Sequence, residues 1–360
     1  MRIKNIAVVI LSVCALLTFA GCTGKSADNK PKVFTVEHFT HSKGLPCDEI
    51  TCMAALGNKV WAGSEKGLFA YDGVNWEIHS KKNNNRLGSD IIVGLQTLNR
   101  CLYIATDNGA CYYDGNDFRS VYTGGRARAV SGNGGEVAVG TAYGVIIGGK
   151  TYSNSSAGLV SDEITQLIYD KQGQLWVGTR AGISKLSGGM ARNYTGPAKS
   201  VMGSSLIDIP ANPSNCRLPG NFIKTMILYK DGLAIGSTEG LCITDMANNY
   251  EPYTAEHKEW MQVNGKIVDE LVKGNSKIPG NKVNALATTD NYELLFAVTN
   301  EGLGILKGNE WLDVDKLIPG LPKSGLTSVA WCGKDLWIGS DDGIFKVADL
   351  SSLLGSDDKN

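Results

Sequence analysis

Short apolar runs separated by polar turns fill the chain from residue 33 onwards, and one arrangement of them recurs. An apolar strand ends in Ser or Thr, two variable residues follow, then a glycine and an apolar residue that starts the next strand. The copies are Ser64 to Gly67, Thr106 to Gly109, Thr141 to Gly144, Thr179 to Gly182, Ser237 to Gly240, Thr299 to Gly302 and Ser340 to Gly343. A hairpin turn explains both fixed positions. Glycine supplies a positive φ, and the hydroxyl can bond the backbone two residues on. Three residues before each hydroxyl stand Trp61, Tyr103, Ala138, Trp176, Ala234, Phe296 and Trp337. Five are large and flat, suited to packing between neighbouring sheets.

Six copies have an upstream lead-in of one type, such as Leu45-Pro46-Cys47-Asp48, Leu218-Pro219-Gly220-Asn221 or Ile278-Pro279-Gly280-Asn281, before a further strand. Downstream comes an outer strand with an aromatic residue, at Trp76, Phe118, Tyr152, Tyr194, Tyr253 or Trp311. That makes four antiparallel strands per unit. Repetition at about 40 residues predicts an all-β fold, a seven-bladed β-propeller of four-stranded blades that bury one another. The glycine spacings are 42, 35, 38, 58, 62 and 41 residues. The two long ones hold too little extra chain for another blade, so insertions are expected at about 190–217 and 255–277. The seventh copy lacks an outer strand, while residues 34–39 form a strand with no hairpin partner, so this N-terminal strand is expected to complete the last blade.

The units resemble two-component regulator propeller repeats, with Leu175-Trp176-Val177-Gly178-Thr179 and Leu336-Trp337-Ile338-Gly339-Ser340 carrying the likeness most fully. The third unit departs from it, lacking the lead-in around Arg126 to Val130 and having Ala138 for the aromatic; the fifth has Ala234. Irregular blades are expected there. The resemblance implies a sensor-type propeller. In that family such propellers commonly form the periplasmic half of membrane-spanning kinases, and here only the fold and a binding role carry over.

The domain plan follows. Arg2 and Lys4 precede an apolar run from Ile6 to Ala20, which has the length of a signal-peptide core. Phe19-Ala20-Gly21-Cys22 resembles a lipobox, so residues 1–21 are expected to be a lipoprotein signal peptide and Cys22 the acylated residue. An ordinary cleaved signal is the alternative. Residues 22–32 then form a polar tether, 33–350 the propeller and 351–360 a polar tail. The expected location is the cell envelope, lipid-anchored on the extracytoplasmic side, with no other contact with the membrane.

Composition narrows the function. The net charge of −1 over 360 residues gives no global field for nucleic acid. Nine cysteines include Cys14 in the leader and Cys22, leaving seven in an exported protein. Free thiols are expected for most, against one or more disulfides, with Cys47 and Cys52 the closest pair in sequence. Four histidines, His38, His41, His79 and His257, form no ligand set, and no metal or cofactor site is expected. No nucleophile with its base and no phosphate loop is evident, so catalytic residues are not assigned.

Both insertions should rise from the face that bears the seven hairpin turns, where binding is expected. Candidate ligand contacts there are Tyr143, Arg180, Glu65, Asp107, Glu239, Glu301 and Asp341, a rim that leans acidic. Within the second insertion, Trp260, Val263, Ile267 and Leu271 stand at helical spacing and predict a short amphipathic helix over 256–273. The functional expectation is a non-catalytic envelope lipoprotein that binds an unidentified ligand or protein through this face. A propeller hydrolase or lyase acting on glycans or other exported substrates, and an envelope-assembly scaffold, are the alternatives.

Overall fold

The computed structural model describes residues 33–354 except 198, 203–204, 209–214, 246 and 265. Residues 1–21, expected to be a signal peptide, Cys22, the rest of the expected tether and residues 355–360 of the tail lie outside the described residues.

The described chain folds into seven four-stranded antiparallel sheets and two two-stranded hairpins. Six sheets are consecutive in sequence and are numbered here as blades 1 to 6, spanning 52–79, 92–122, 129–152, 164–194, 223–253 and 283–311. Blade 7 takes its inner three strands from 326–347, and its outer strand is Val36–Phe39, which pairs from Val36 opposite Val347 to Phe39 opposite Ile344. The N-terminal strand thus completes the last blade. The inner strands adjoin one another in order from blade 1 to blade 7, and that of blade 7, Leu326–Cys332, adjoins that of blade 1, Cys52–Leu56. The ring is closed.

The core is divided as the ring is. Seven apolar clusters fill the seven spaces between adjacent blades. Between blades 1 and 2, Trp61 is 2% exposed and packs with Leu68, Leu87, Ile92 and Ile104, its ring 5.2 Å from Tyr113. Each fully buried residue of this size contributes about 1.5–3 kcal/mol, stabilisation that a blade gains by packing on its neighbours.

The repeated turn works as its chemistry requires. In all seven copies the hydroxyl donates to the glycine carbonyl, at 2.8 to 3.3 Å. It also accepts the N–H two residues on, as from Lys66 to Ser64 at 2.8 Å. The seven glycines have φ between +105° and +146°, beyond the left-handed helical region. A second constraint acts on most of them: a Cβ on Gly182 would stand 2.6 Å from the Tyr194 carbonyl of the outer strand.

The lead-in has a structural purpose too. Its last residue accepts a hydrogen bond from the backbone just beyond the preceding outer strand: Asp48 from His41, Asp90 from Lys81, Asp162 from Asn154, Asn221 from Gly196 and Asn281 from Ala255, at 2.5 to 2.8 Å. The acidic or amide group pins each blade-to-blade crossing.

Four expectations need correction. The segment expected to be helical is a β-hairpin, His257–Val263 paired with Lys266–Val272. Asn264 has φ +50° and precedes Gly265, the pair that favours a tight hairpin turn, and this outweighs the helical spacing. The first insertion begins after Tyr194, because Met190–Tyr194 is the outer strand of blade 4. The structured part runs past 350: Leu350–Leu353 is a 3-10 turn, and Leu350 is fully buried beside Phe34. Of the two blades expected to be irregular, blade 3 has the short inner strand Ala129–Gly132, but blade 5 has a full-length one, Ile223–Tyr229, with the same bulge after its first residue as blades 2, 4, 6 and 7.

Candidate functional site: the channel mouth

A buried apolar anchor opens each inner strand or, in blades 1 and 3, stands two residues before it: Ile50, Ile92, Ala127, Ile164, Ile223, Val283 or Leu326. In blades 2, 4, 5, 6 and 7 the register with the second strand slips just after it, a bulge that re-aims the next residue. In blades 1 and 3 the anchor N–H instead bonds the turn Ser or Thr of the preceding blade, Ile50 to Ser340 and Ala127 to Thr106. All seven following residues, Thr51, Val93, Arg128, Thr165, Lys224, Asn284 and Thr327, line the central channel, whose cavity measures about 600 Å³.

Three of them join the blades. Thr51 donates to the carbonyl of Ile92 at 2.9 Å, Asn284 to Leu326 at 3.4 Å and Thr327 to Ile50 at 2.6 Å. In each case the acceptor is the anchor of the next blade. Farther in, the Gln96 amide passes the short strand of blade 3 and donates to the Leu167 carbonyl at 2.9 Å, while its Oε1 is buried without a partner.

The insertions leave from this same end of the ring. Tyr194 pairs with Ile183 beside Gly182, and Tyr253 with Leu241 beside Gly240, so the chain exits next to the hairpin turns. The first insertion carries the hairpin of Lys199–Met202 and Ser205–Asp208, whose second strand adjoins both strands of the hairpin in the second insertion. The latter exposes Met261, Val263, Val268 and Leu271.

The residues expected to contact ligand all stand on these turns, but they divide. Glu65, Asp107, Arg180 and Asp341 occupy the first variable position; at Asp107 and Asp341 the N–H bonds the carbonyls of Ile91 and Gly325, each just before the same blade's inner strand, both at 3.1 Å. Tyr143, Glu239 and Glu301 occupy the second. Tyr143 is 81% exposed. Burial raises the pKa of Glu239, with His257 opposing and Glu259 adding to the rise, which places Glu239 near the second insertion hairpin. Glu301 lines a separate groove of about 490 Å³ with Trp311 and Lys323. Arg180 pairs with Glu163 at 2.9 Å and its guanidinium lies 4.9 Å from the Phe222 ring centre.

Charge around the mouth sorts by blade. The first turn positions are acidic in blades 7, 1 and 2, at Asp341, Glu65 and Asp107, whereas the channel residues of blades 3 and 5 are Arg128 and Lys224. The acidic first positions thus form one arc, Glu239 and Glu301 add second-position acids on blades 5 and 6, and the channel cations, which are not among the contacts expected from the sequence, lie on blades 3 and 5. The signal was available: they occupy the column directly after the buried anchor in each repeat.

All seven cysteines in the described part are free. Cys47, Cys111 and Cys242 are buried and the others half-buried, with the Cys52 and Cys111 thiols pushed up to about 12 by burial. Among the described residues no group of three or more His, Cys, Asp or Glu is placed to hold a metal, and no helix is long and apolar enough to cross a membrane.

Residues 158–181, from the blade 4 lead-in through its hairpin turn, match the model of the two component regulator propeller family. The chain carries a two component regulator propeller repeat. Its fold is also that of the extracellular domains of two proteins from B. thetaiotaomicron, each described as a hybrid two component system. They are 18% and 15% identical to the chain, with TM-scores of 0.59 and 0.59 over 87% and 88% of it. The chain spans only 40% and 42% of those domains. Virginiamycin B lyase from Staphylococcus aureus is similar at 10% identity and a TM-score of 0.57, covering 88% of this chain and 99% of that one. At such identities the likeness is one of fold. No curated protein matches the sequence.

Proposed function

We propose that this regulator propeller is a non-catalytic binding domain of sensor type, held by a lipid on Cys22 at the extracytoplasmic side of a membrane, and that it engages its ligand or protein partner through the insertion-bearing face. The likeness to extracellular domains and the lipobox-like Phe19-Ala20-Gly21-Cys22 support the placement. The observation that carries the binding role is the convergence of two neighbouring insertion hairpins and the channel mouth at one end of the ring. Exposed Met261, Val263, Val268 and Leu271 on the second hairpin offer apolar contact, and the turns beside it offer charge.

The test is affinity capture from envelope extracts with the wild-type chain and with M261S/V268S/L271S, whose side chains are partly or largely exposed, so the substitutions leave the blades intact. Loss of a specific partner in the variant is expected, and identical partner sets would remove the hairpin from the function. A glycan hydrolase requires two carboxylates facing one another. The channel lining holds one, Asp290, in the turn joining the first two strands of blade 6 at the opposite end from the insertions.

A further inference from the structure

The seven channel residues after the anchors fall into two groups. On blades 1, 6 and 7 the side chains are consumed in joining one blade to the next. Val93 of blade 2 has no polar group. On blades 3, 4 and 5 the equivalents are Arg128, Thr165 and Lys224, three consecutive positions of the ring, and none bonds the next anchor. Thr165 Oγ1 is buried with no partner, although threonine at the same position in blades 1 and 7 makes the inter-blade bond. Lys224 is half-buried and makes no hydrogen bond or ion pair among the described residues. Arg128 has one acid near it, Glu163 at 3.7 Å, beyond hydrogen-bond reach and itself engaged by Arg180 at 2.9 Å.

We infer that Arg128, Thr165 and Lys224 form a binding site for an oxyanion, a carboxylate or sulfate group on a small polar molecule that enters the channel from the insertion-bearing face. Two cations and a hydroxyl donor on three neighbouring blades supply charge-assisted hydrogen bonds from several directions, as such a group requires. A buried donor without a partner and a half-buried ammonium without a counter-ion are costly arrangements, and an anion relieves both. Desolvation lowers the pKa of Lys224, with Lys282 adding to the effect, as expected of an ammonium lacking a compensating charge. No carboxylate occupies any of the seven positions, which disfavours a cation there. A cavity of about 600 Å³ admits a molecule of sugar or small organic-acid size.

This inference rests on the binding role proposed above and names its ligand chemistry. Isothermal titration calorimetry reports occupancy directly. The purified full chain would be titrated with citrate, inorganic sulfate and, as an uncharged control, glucose, using wild type, R128Q, T165V, K224Q and E163Q, each checked by thermal melting. The site predicts saturable binding of citrate or sulfate and none of glucose. The preferred anion distinguishes carboxylate from sulfate recognition. R128Q and K224Q should each weaken binding by about tenfold or more, and T165V by less. E163Q should tighten it, because a competing carboxylate is removed. Absence of saturable anion binding, or affinity unchanged in both R128Q and K224Q, overturns the inference. Loss of anion binding with partner capture intact leaves the proposed function standing; anion binding with capture unaffected by the hairpin substitutions leaves the site and removes the hairpin.

Discussion

Thr327 of the last blade donates its hydroxyl to the carbonyl of Ile50, the anchor of the first, at 2.6 Å and across 277 residues of sequence. The bond sits where the ring joins, and Thr51 repeats it from blade 1 to blade 2 at 2.9 Å. A side chain turned toward the channel, by a bulge in the case of Thr327, is thereby used to hold adjacent blades in register.

Substituting Thr327 by Val keeps the shape and leaves the Ile50 carbonyl without this donor. A loss of about 1–2 kcal/mol is expected in urea unfolding. Thr165→Val, at the same position in blade 4, removes a hydroxyl that bonds nothing and should change stability by well under that amount. Equal losses in the two variants would contradict the distinction between the two groups of channel residues.

Gly182→Ala places a Cβ at φ +131° and 2.6 Å from the Tyr194 carbonyl. Strain of about 1–3 kcal/mol is expected, visible as a lower melting temperature. Gly115, also at positive φ but with open space around it, should cost less when changed to Ala.

Trp61→Ala empties the space between blades 1 and 2 and should cost about 3–5 kcal/mol in chemical denaturation. Because Tyr113 and Phe118 of blade 2 pack against the same ring, protection of their amides from hydrogen exchange should fall with it.

His79 stacks on Trp61, and burial holds its pKa below the ordinary 6.5, with Glu77 opposing the shift and Lys59 adding to it. The folded state therefore takes up a proton less readily than the unfolded state. Its contribution is complete above the unfolded value and is lost as pH falls through 6.5 toward the depressed folded value. Stability measured between pH 7.5 and 5 should decline in part through this residue, and His79→Phe should flatten that decline. An identical pH profile in the variant would contradict it.

The ring was readable in the sequence because it rests on local chemistry repeated seven times. A hydroxyl and a glycine define each turn, and their unequal spacing exposes the insertions. The unpartnered strand near Phe34 could be matched to the incomplete seventh unit by counting. What was hidden depended on register or on a conflict of periods. Trp260, Val263, Ile267 and Leu271 fit a helix by spacing, yet the turn at Asn264 divides them between two strands. The channel group was hidden for two reasons: in blades 2, 4, 5, 6 and 7 a one-residue bulge reverses which side chain faces inward, and in blades 1 and 3 the channel residue lies ahead of the paired strand, and hydrophobic alternation registers neither. The sequence therefore points to exposed turn residues such as Tyr143 and not to Arg128 or Lys224.

All of these expectations depend on a closed circle of seven sheets, and amide hydrogen exchange at its seam tests that most directly. Amides of Val36–Phe39 that pair with Ile344–Val347 should exchange as slowly as those of the sequence-continuous blade 4. Rapid exchange along Val36–Phe39 with blade 4 still protected would show that the ring is not joined there, and the account of the fold and its channel would fail.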